Sequence, residues 1–174
     1  CDPPYGTTAC SWDTVIPFVP MWAQIKRLVK PRAAVVLFGS QPFTSALVMS
    51  NPKWFKYEWV WNKVRPSGML NAEVKPMQQH ETISVFCDSS PLWYPIKSQR
   101  SLVRESRIYG QSATTSLKNA DGAARVYTDL NPKSILTFYK QSDGAYLHPT
   151  QKPLDLLRYL ILTYTNPGDT VLDF

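Results

Sequence analysis

The feature that most constrains the fold is an uninterrupted apolar segment at residues 33–38, AAVVLF, which lies between two stretches of helical pattern. Such a run is typical of a strand buried on both faces in a parallel sheet. The stretch 14–30 before it has apolar residues at helical spacing, with Asp13 or Thr14 as its cap, and a second short helix is predicted over 42–49.

The rest of the chain continues the alternation of strands and helices. Strands are predicted over residues 57–63 and 80–86, a helix over 152–165 and a final strand over 170–174. The segment 88–147 has little periodicity and many Ser and Thr residues, so it is predicted to be a loop-rich insertion. Together these elements indicate the α/β class with a parallel sheet.

Composition limits the classes of protein further. A chain of 174 residues fits one domain with a real core. The formal net charge of +6 favours a polyanionic partner such as nucleic acid, although many basic proteins bind none. The aromatic content, 13%, adds to this expectation because aromatic faces stack on unpaired bases.

The cysteines and the hydropathy pattern bear on location. Cys1, Cys10 and Cys87 form an odd set without metal-binding spacing, which predicts neither a disulfide framework nor a zinc site. No stretch approaches the roughly 20 apolar residues of a membrane helix. We therefore expect a cytoplasmic protein that does not act in a membrane.

The tetrapeptide Asp-Pro-Pro-Tyr at residues 2–5 has the chemistry of an acceptor site for an amino group. A carboxylate such as that of Asp2 accepts one N–H of an exocyclic nucleobase amine, and a backbone carbonyl such as that of Pro3 accepts the other. Pro4 stiffens the loop, and Tyr5 offers a flat face to an extruded base. The alternative is an ordinary proline turn.

Two further segments are candidates for ligand contact. Residues 148–152, HPTQK, precede a predicted helix, where free N–H groups and a lysine can hold a carboxylate, although an ordinary capping loop has the same pattern. Asp173 lies at the end of the predicted strand 170–174. Asp2 follows Cys1, which is expected to be the last residue of another strand. Ligand crevices in α/β sheets lie outside the carboxyl ends of strands. His80 and Glu81 are expected to orient a strand end.

The order of these motifs carries a family resemblance. DPPYG, EWVWNK, HETISVF, HPTQKP and GDTVLDF follow one another along the chain, which resembles the amino-methylating DNA methyltransferases of the circularly permuted beta group. The resemblance spans residues 1–87 and 148–174. It implies a Rossmann-like methyltransferase sheet with helices on both faces, incomplete at both ends. It also implies a single methyltransferase domain over 1–174, with target recognition in 88–147.

The resemblance implies roles for individual residues, with S-adenosylmethionine as the cofactor and no metal. The catalytic residues would be Asp2, Pro3, Pro4 and Tyr5. The cofactor-binding residues would be Asp2, His148, Thr150, Gln151, Lys152, Asp173 and Phe174, with Thr150 to Lys152 near the methionine end of the cofactor.

The implied reaction is methyl transfer to the N6 amine of a flipped adenine in double-stranded DNA, because Asp is the first residue of the tetrapeptide. An N4-cytosine enzyme and a truncated, inactive DNA-binding remnant are the alternatives, and a homodimer is left open. The candidate DNA contacts are the basic residues of the polar segments, although a solvated basic surface explains each of them equally well: Lys63, Arg65, Lys75, Arg100, Arg104 and Arg107.

Two departures from the family pattern concern the ends of the chain. The family continues after LDF with a glycine-rich turn, whereas this chain ends at Phe174, and no strand precedes Cys1. We therefore expect a central fragment of a methyltransferase.

Overall fold

The computed structural model describes residues 1–105, 126–139 and 151–174, in two compact units. The first unit comprises Cys1–Tyr94 and Lys133–Phe174, and the second comprises Pro95–Pro132. In chain order the elements are α1 (Phe18–Leu28), β1 (Val35–Gly39), α2 (Phe43–Ser50), β2 (Phe55–Ser67), a 3-10 turn (Met69–Asn71), β3 (Gln78–Phe86), β4 (Ser98–Glu105), β5 (Val126–Leu130), β6 (Ile135–Thr137) and α3 (Leu154–Tyr164).

The sheet of the first unit is mixed, with strand order β1-β3-β2-β6. β3 is antiparallel to both β1 and β2, and β6 is parallel to β2. The α/β class is thus confirmed, but the expectation of a parallel sheet is wrong for β3. The reason is the link from β2 to β3, which contains only a 3-10 turn and no crossover helix of the kind that parallel pairing needs.

Helices cover both faces of this sheet. On one face, Met21 and Trp22 of α1 and Leu47 of α2 pack against Leu37 of β1 and Phe86 of β3. The alternate positions of the strands face the other way, as the two-residue period of a strand requires.

On that second face lies α3. Leu156 and Leu160 of this helix pack on Trp59, Trp61 and Val85 in a second buried cluster. The indole nitrogen of Trp59 also donates to the hydroxyl of Tyr164, at 2.7 Å, which ties the last residue of α3 to β2.

The sequence predictions miss some strands and add one. β4, β5 and β6 fall within the segment 88–147, which was predicted to be loop-rich, and β4 pairs with β5 in the second unit. Conversely, residues 170–174 contain no strand. Leu172 accepts a hydrogen bond from the thiol of Cys1, which is a side-chain contact and not part of a backbone ladder. None of the helices within the described ranges is long and apolar enough to cross a membrane.

Candidate active site

The first residue of the chain extends the sheet beside β1. The backbone nitrogen of Cys1 donates to the carbonyl of Val36 at 2.9 Å, and the nitrogen of Phe38 donates to the carbonyl of Cys1 at 3.0 Å. This pattern is that of a parallel pair centred opposite Leu37. Asp2 therefore leaves the sheet at the carboxyl end of β1, where α/β folds place their ligands.

The end of the chain lies on the other side of Cys1. Oδ1 of Asp173 is 3.7 Å from the backbone nitrogen of Cys1, and the Cys1 thiol donates to the carbonyl of Leu172 at 3.5 Å. The Asp173 side chain is 83% exposed, so its carboxylate faces solvent. Cys1, which immediately precedes the tetrapeptide, thus contacts Leu172, although the two are 171 positions apart in the chain.

Both oxygens of the Asp2 carboxylate have partners. The Tyr5 hydroxyl donates to Oδ1 at 2.6 Å, and Nζ of Lys152 donates to Oδ2 at 2.7 Å. The side chain keeps 34% of its surface exposed. Since each carboxylate oxygen has two acceptor positions, Asp2 is fixed in orientation and can still accept a hydrogen from a ligand.

Tyr5 is held by packing as well as by its hydroxyl. Its ring stacks on Phe43 with a centroid separation of 5.2 Å and an interplanar angle of 29°. Burial, together with the adjacent carboxylate of Asp2, raises the pKa of Tyr5. The hydroxyl is therefore protonated throughout the physiological range and remains a hydrogen-bond donor.

Lys152 lies just before α3 and reaches two carboxylates. Besides Asp2, its ammonium is 3.3 Å from Oε2 of Glu81 on β3, and Oε1 of Glu81 is 3.4 Å from Nζ of Lys63. The side chain of Lys152 is only 12% exposed and lies near the rings of Phe38 and Tyr5. Four charges of alternating sign thus form a chain that ends at Asp2.

Asp13 braces the loop that follows the tetrapeptide. Its buried carboxylate accepts the backbone N–H groups of Gly6, Thr7 and Thr8 at 2.7–2.9 Å, and the Thr8 hydroxyl at 2.8 Å. Burial opposes ionisation, but these hydrogen bonds outweigh it and lower the pKa of Asp13 to about 2. α1 begins at Phe18 after Pro17, so Asp13 is not its cap.

The other predicted residues of the tetrapeptide and the cofactor set are distributed as follows. Pro3 is buried, while Pro4 and Gln151 are half-buried. Phe174 is half exposed next to Asp173. His148 and Thr150 lie outside the described residues.

The residues predicted to contact DNA differ in whether their charges are already paired within the protein. Lys63 is bound to Glu81 and is only 11% exposed, so its charge is engaged within the protein. Arg65 and Lys75 are exposed. In the second unit, Arg100 donates to the carbonyl of Asp129 at 2.8 Å, and Arg104 lies on β4; Arg107 lies outside the described residues.

A family model described as DNA methylase matches residues 1–174. The chain belongs to the DNA methylase family. It is 25% identical over 162 residues to a Type II methyltransferase, M.HinfI of Haemophilus influenzae. That alignment covers 90% of this chain and 40% of the relative.

Solved structures agree on the fold. The crystal structure of the M1.HpyAVI–SAM complex superposes on this DNA methylase chain with a TM-score of 0.51 at 20% identity, covering 95% of this chain and 64% of the other. The chain thus spans less than two thirds of both proteins. The shared fold is that of a methyltransferase sheet.

Two residues that contact the tetrapeptide loop or Lys152 were not predicted from the sequence to do so. Asp13 was read as a helix cap, and Glu81 as a residue that orients a strand end. The sequence signals are weak for both: a carboxylate seven residues after Gly6, and the one acidic residue of strand β3.

Proposed function

We propose that the protein transfers a methyl group from S-adenosylmethionine to the N6 amine of an adenine that is flipped out of double-stranded DNA. The observation that carries this proposal is the fixed, partly exposed carboxylate of Asp2 at the carboxyl end of β1, beside Asp173. Family membership supplies the reaction class, and the residues around Asp2 supply the chemistry.

The chemical difficulty of the reaction lies in the amine. Its lone pair is delocalised into the base, so the nitrogen is a poor nucleophile. By accepting one N–H, Asp2 would favour a pyramidal nitrogen and stabilise the positive charge that develops as the methyl group arrives. The carbonyl of Pro3 would take the second hydrogen, since the following proline fixes the loop and removes a competing N–H.

Tyr5 would hold the extruded base by stacking. Its ring is already supported from one side by Phe43, so little conformational entropy is lost when a base is added. Taking the base out of the duplex is necessary because the amine must meet the methyl donor inside a pocket.

The exposed acidic edge fits the cofactor. S-adenosylmethionine carries a sulfonium and an ammonium, and the carboxylates of Asp2 and Asp173 are the anions at this edge of the sheet. When bound, the cofactor supplies an electrophilic methyl group. Gln151, together with His148, Thr150 and Phe174, remains a proposed contact.

Target recognition is proposed for residues 88–147. The second unit, Pro95–Pro132, falls inside this segment, and its strand β4 contains Arg100 and Arg104. Contacts to base edges specify the DNA sequence, whereas contacts to phosphates position the protein on the duplex. We expect this unit to make the base contacts and so to set the recognised sequence. A homodimer stays an untested option, as does a cytoplasmic location.

The identity of the product tests the proposal. The full-length protein is incubated with DNA and S-adenosylmethionine, and the DNA is digested to nucleosides for mass spectrometry. We expect N6-methyladenine. N4-methylcytosine would show that the protein methylates the N4 amine of cytosine instead. DNA binding without any methylated nucleoside, and without saturable heat on addition of S-adenosylmethionine, would indicate an inactive remnant.

A further inference from the structure

Lys152 is the meeting point of two carboxylates from different parts of the fold. Its ammonium binds Asp2, on the loop that leaves Cys1, at 2.7 Å and approaches Glu81, on β3, at 3.3 Å. One of its three donors is thus hydrogen-bonded to Asp2, and its charge also faces the carboxylate of Glu81. This arrangement favours an action of Lys152 on Asp2 over an action on the carboxylate of the cofactor.

Glu81 is directed at Lys152 by its surroundings. Its Oε2 is buried and has no hydrogen-bond partner among the described residues, so its ion pair with Lys152 is the contact that compensates this oxygen. Its Oε1 pairs with Lys63. A carboxylate that is only 16% exposed is costly unless both of its oxygens are compensated, and for Oε2 the cation is Lys152.

We propose that Glu81 is a positioning residue, which holds Lys152 against Asp2 so that the Asp2 carboxylate is oriented toward the amine. The proposal rests on the proposed function. Its physical basis is that the side chain of Lys152 is flexible, whereas the strand β3, which carries Glu81, is rigid. A lysine side chain has about 2 kcal/mol of rotamer entropy and does not stay in one place alone. Glu81 lies within β3, paired with Trp61 of β2, and is therefore a rigid anchor.

The first test separates catalysis from binding. In the full-length protein, Glu81→Gln removes the charge but keeps the shape. We expect a single-turnover methylation rate about 10-fold lower, because a displaced acceptor misaligns the amine. The Kd of S-adenosylmethionine and the KM for DNA should stay within about twofold, since ground-state binding is unaffected. The matched control is Glu58→Gln, an exposed glutamate of β2, which should match the wild type.

A double-mutant cycle tests the route of the effect. If Glu81 acts through Lys152, adding Glu81→Gln to Lys152→Met leaves the rate of the single Lys152→Met variant unchanged. Additive losses would overturn the proposal. So would a Lys152→Met variant that loses cofactor affinity while its rate at saturating cofactor is normal.

A readout that does not need activity is the reactivity of Lys152. Its acetylation by acetic anhydride, followed by peptide mass spectrometry, should be several-fold faster in Glu81→Gln than in the wild type or in Glu58→Gln. Equal rates would overturn the proposal. If Glu81→Gln does not fold, Glu81→Asp, which retracts the charge by about one methylene, is tested with the same expected directions.

These outcomes separate the two proposals. If the wild type methylates DNA and Glu81→Gln behaves like Glu58→Gln, the positioning role is wrong and the proposed function stands. If the wild type yields no methylated nucleoside, the proposed function fails, while the acetylation rates still decide whether Glu81 holds Lys152.

Discussion

Nζ of Lys152 lies 2.7 Å from Oδ2 of Asp2, although 150 residues separate the two in the chain. The contact joins the loop that begins at the sheet edge to the residue that precedes α3. Because α3 is itself joined to β2 through Tyr164 and Trp59, we expect the orientation of Asp2 to depend on the packing of α3 against the sheet.

Asp13 is predicted to make the stability of the protein depend on pH in the acid range. The folded-state pKa of Asp13, about 2, is below its ordinary value of 3.8. The stabilisation is therefore fully present above pH 4 and is lost as the pH falls toward 2. Asp13→Asn should lower the unfolding free energy at pH 7 by about 2–3 kcal/mol, because backbone donors lose a charged acceptor.

The measurement for Asp13 is urea denaturation of wild type and variant at several pH values. The difference between them should shrink steadily below pH 4. Asp155→Asn, at an exposed position of α3, serves as the control and should change the stability by less than about 0.5 kcal/mol. A difference that is independent of pH would show that the carboxylate charge of Asp13 has no part in bracing the loop.

Gly6 is predicted to be less replaceable than Gly68, which also has a positive φ. Its φ is +67°, and a Cβ at this position would lie 2.8 Å from Cγ2 of Val15. Gly68 has a φ of +89° with open space around it, so Gly68→Ala has only the backbone cost of roughly 1–2 kcal/mol. Gly6→Ala should lose about 1–3 kcal/mol more, measured as a lower urea midpoint, owing to the clash. Equal losses would argue against a tight turn after Tyr5.

Two exposed basic residues, Arg65 near the end of β2 and Lys75 in the link to β3, are predicted to contact DNA phosphates. Each phosphate contact contributes about 0.9 to the slope of log K against log salt concentration. Replacing Arg65 and Lys75 together with alanine should therefore reduce the slope by about 1.8, as measured by fluorescence anisotropy. The control is Lys53→Ala, which should leave the slope unchanged. Lys53 is an exposed lysine that lies just before the first residue of β2. An unchanged slope in the double variant would make these residues a solvated surface.

The local elements of the fold are predictable because periodicity is a local property. The helix predicted over 42–49 is α2, Phe43–Ser50, and the strand predicted over 80–86 is β3, Gln78–Phe86. β4 was missed since Leu102 and Val103 are adjacent apolar residues that both face solvent, which breaks the alternation of a strand. The antiparallel direction of β3 was not predicted because it depends on the link from β2, which contains no crossover helix.

The site is predictable only where residue type by itself implies chemistry. Asp2 and Tyr5 in a proline-stiffened tetrapeptide meet this condition. Glu81 does not, because its role depends on Lys152, 71 residues away in the chain. Asp13 does not either, since the groups that it binds are mainly backbone N–H groups, which carry no sequence signature.

The replacement of Asp2 by alanine tests the central claim most directly. The Asp2→Ala variant of the full-length protein is compared with the wild type for N6-methyladenine by mass spectrometry and for S-adenosylmethionine binding by calorimetry. We predict that methyl transfer falls by at least about 100-fold, because the acceptor that stabilises the developing charge is gone, while cofactor binding stays detectable. A variant that forms N6-methyladenine at a rate close to that of the wild type would contradict the account.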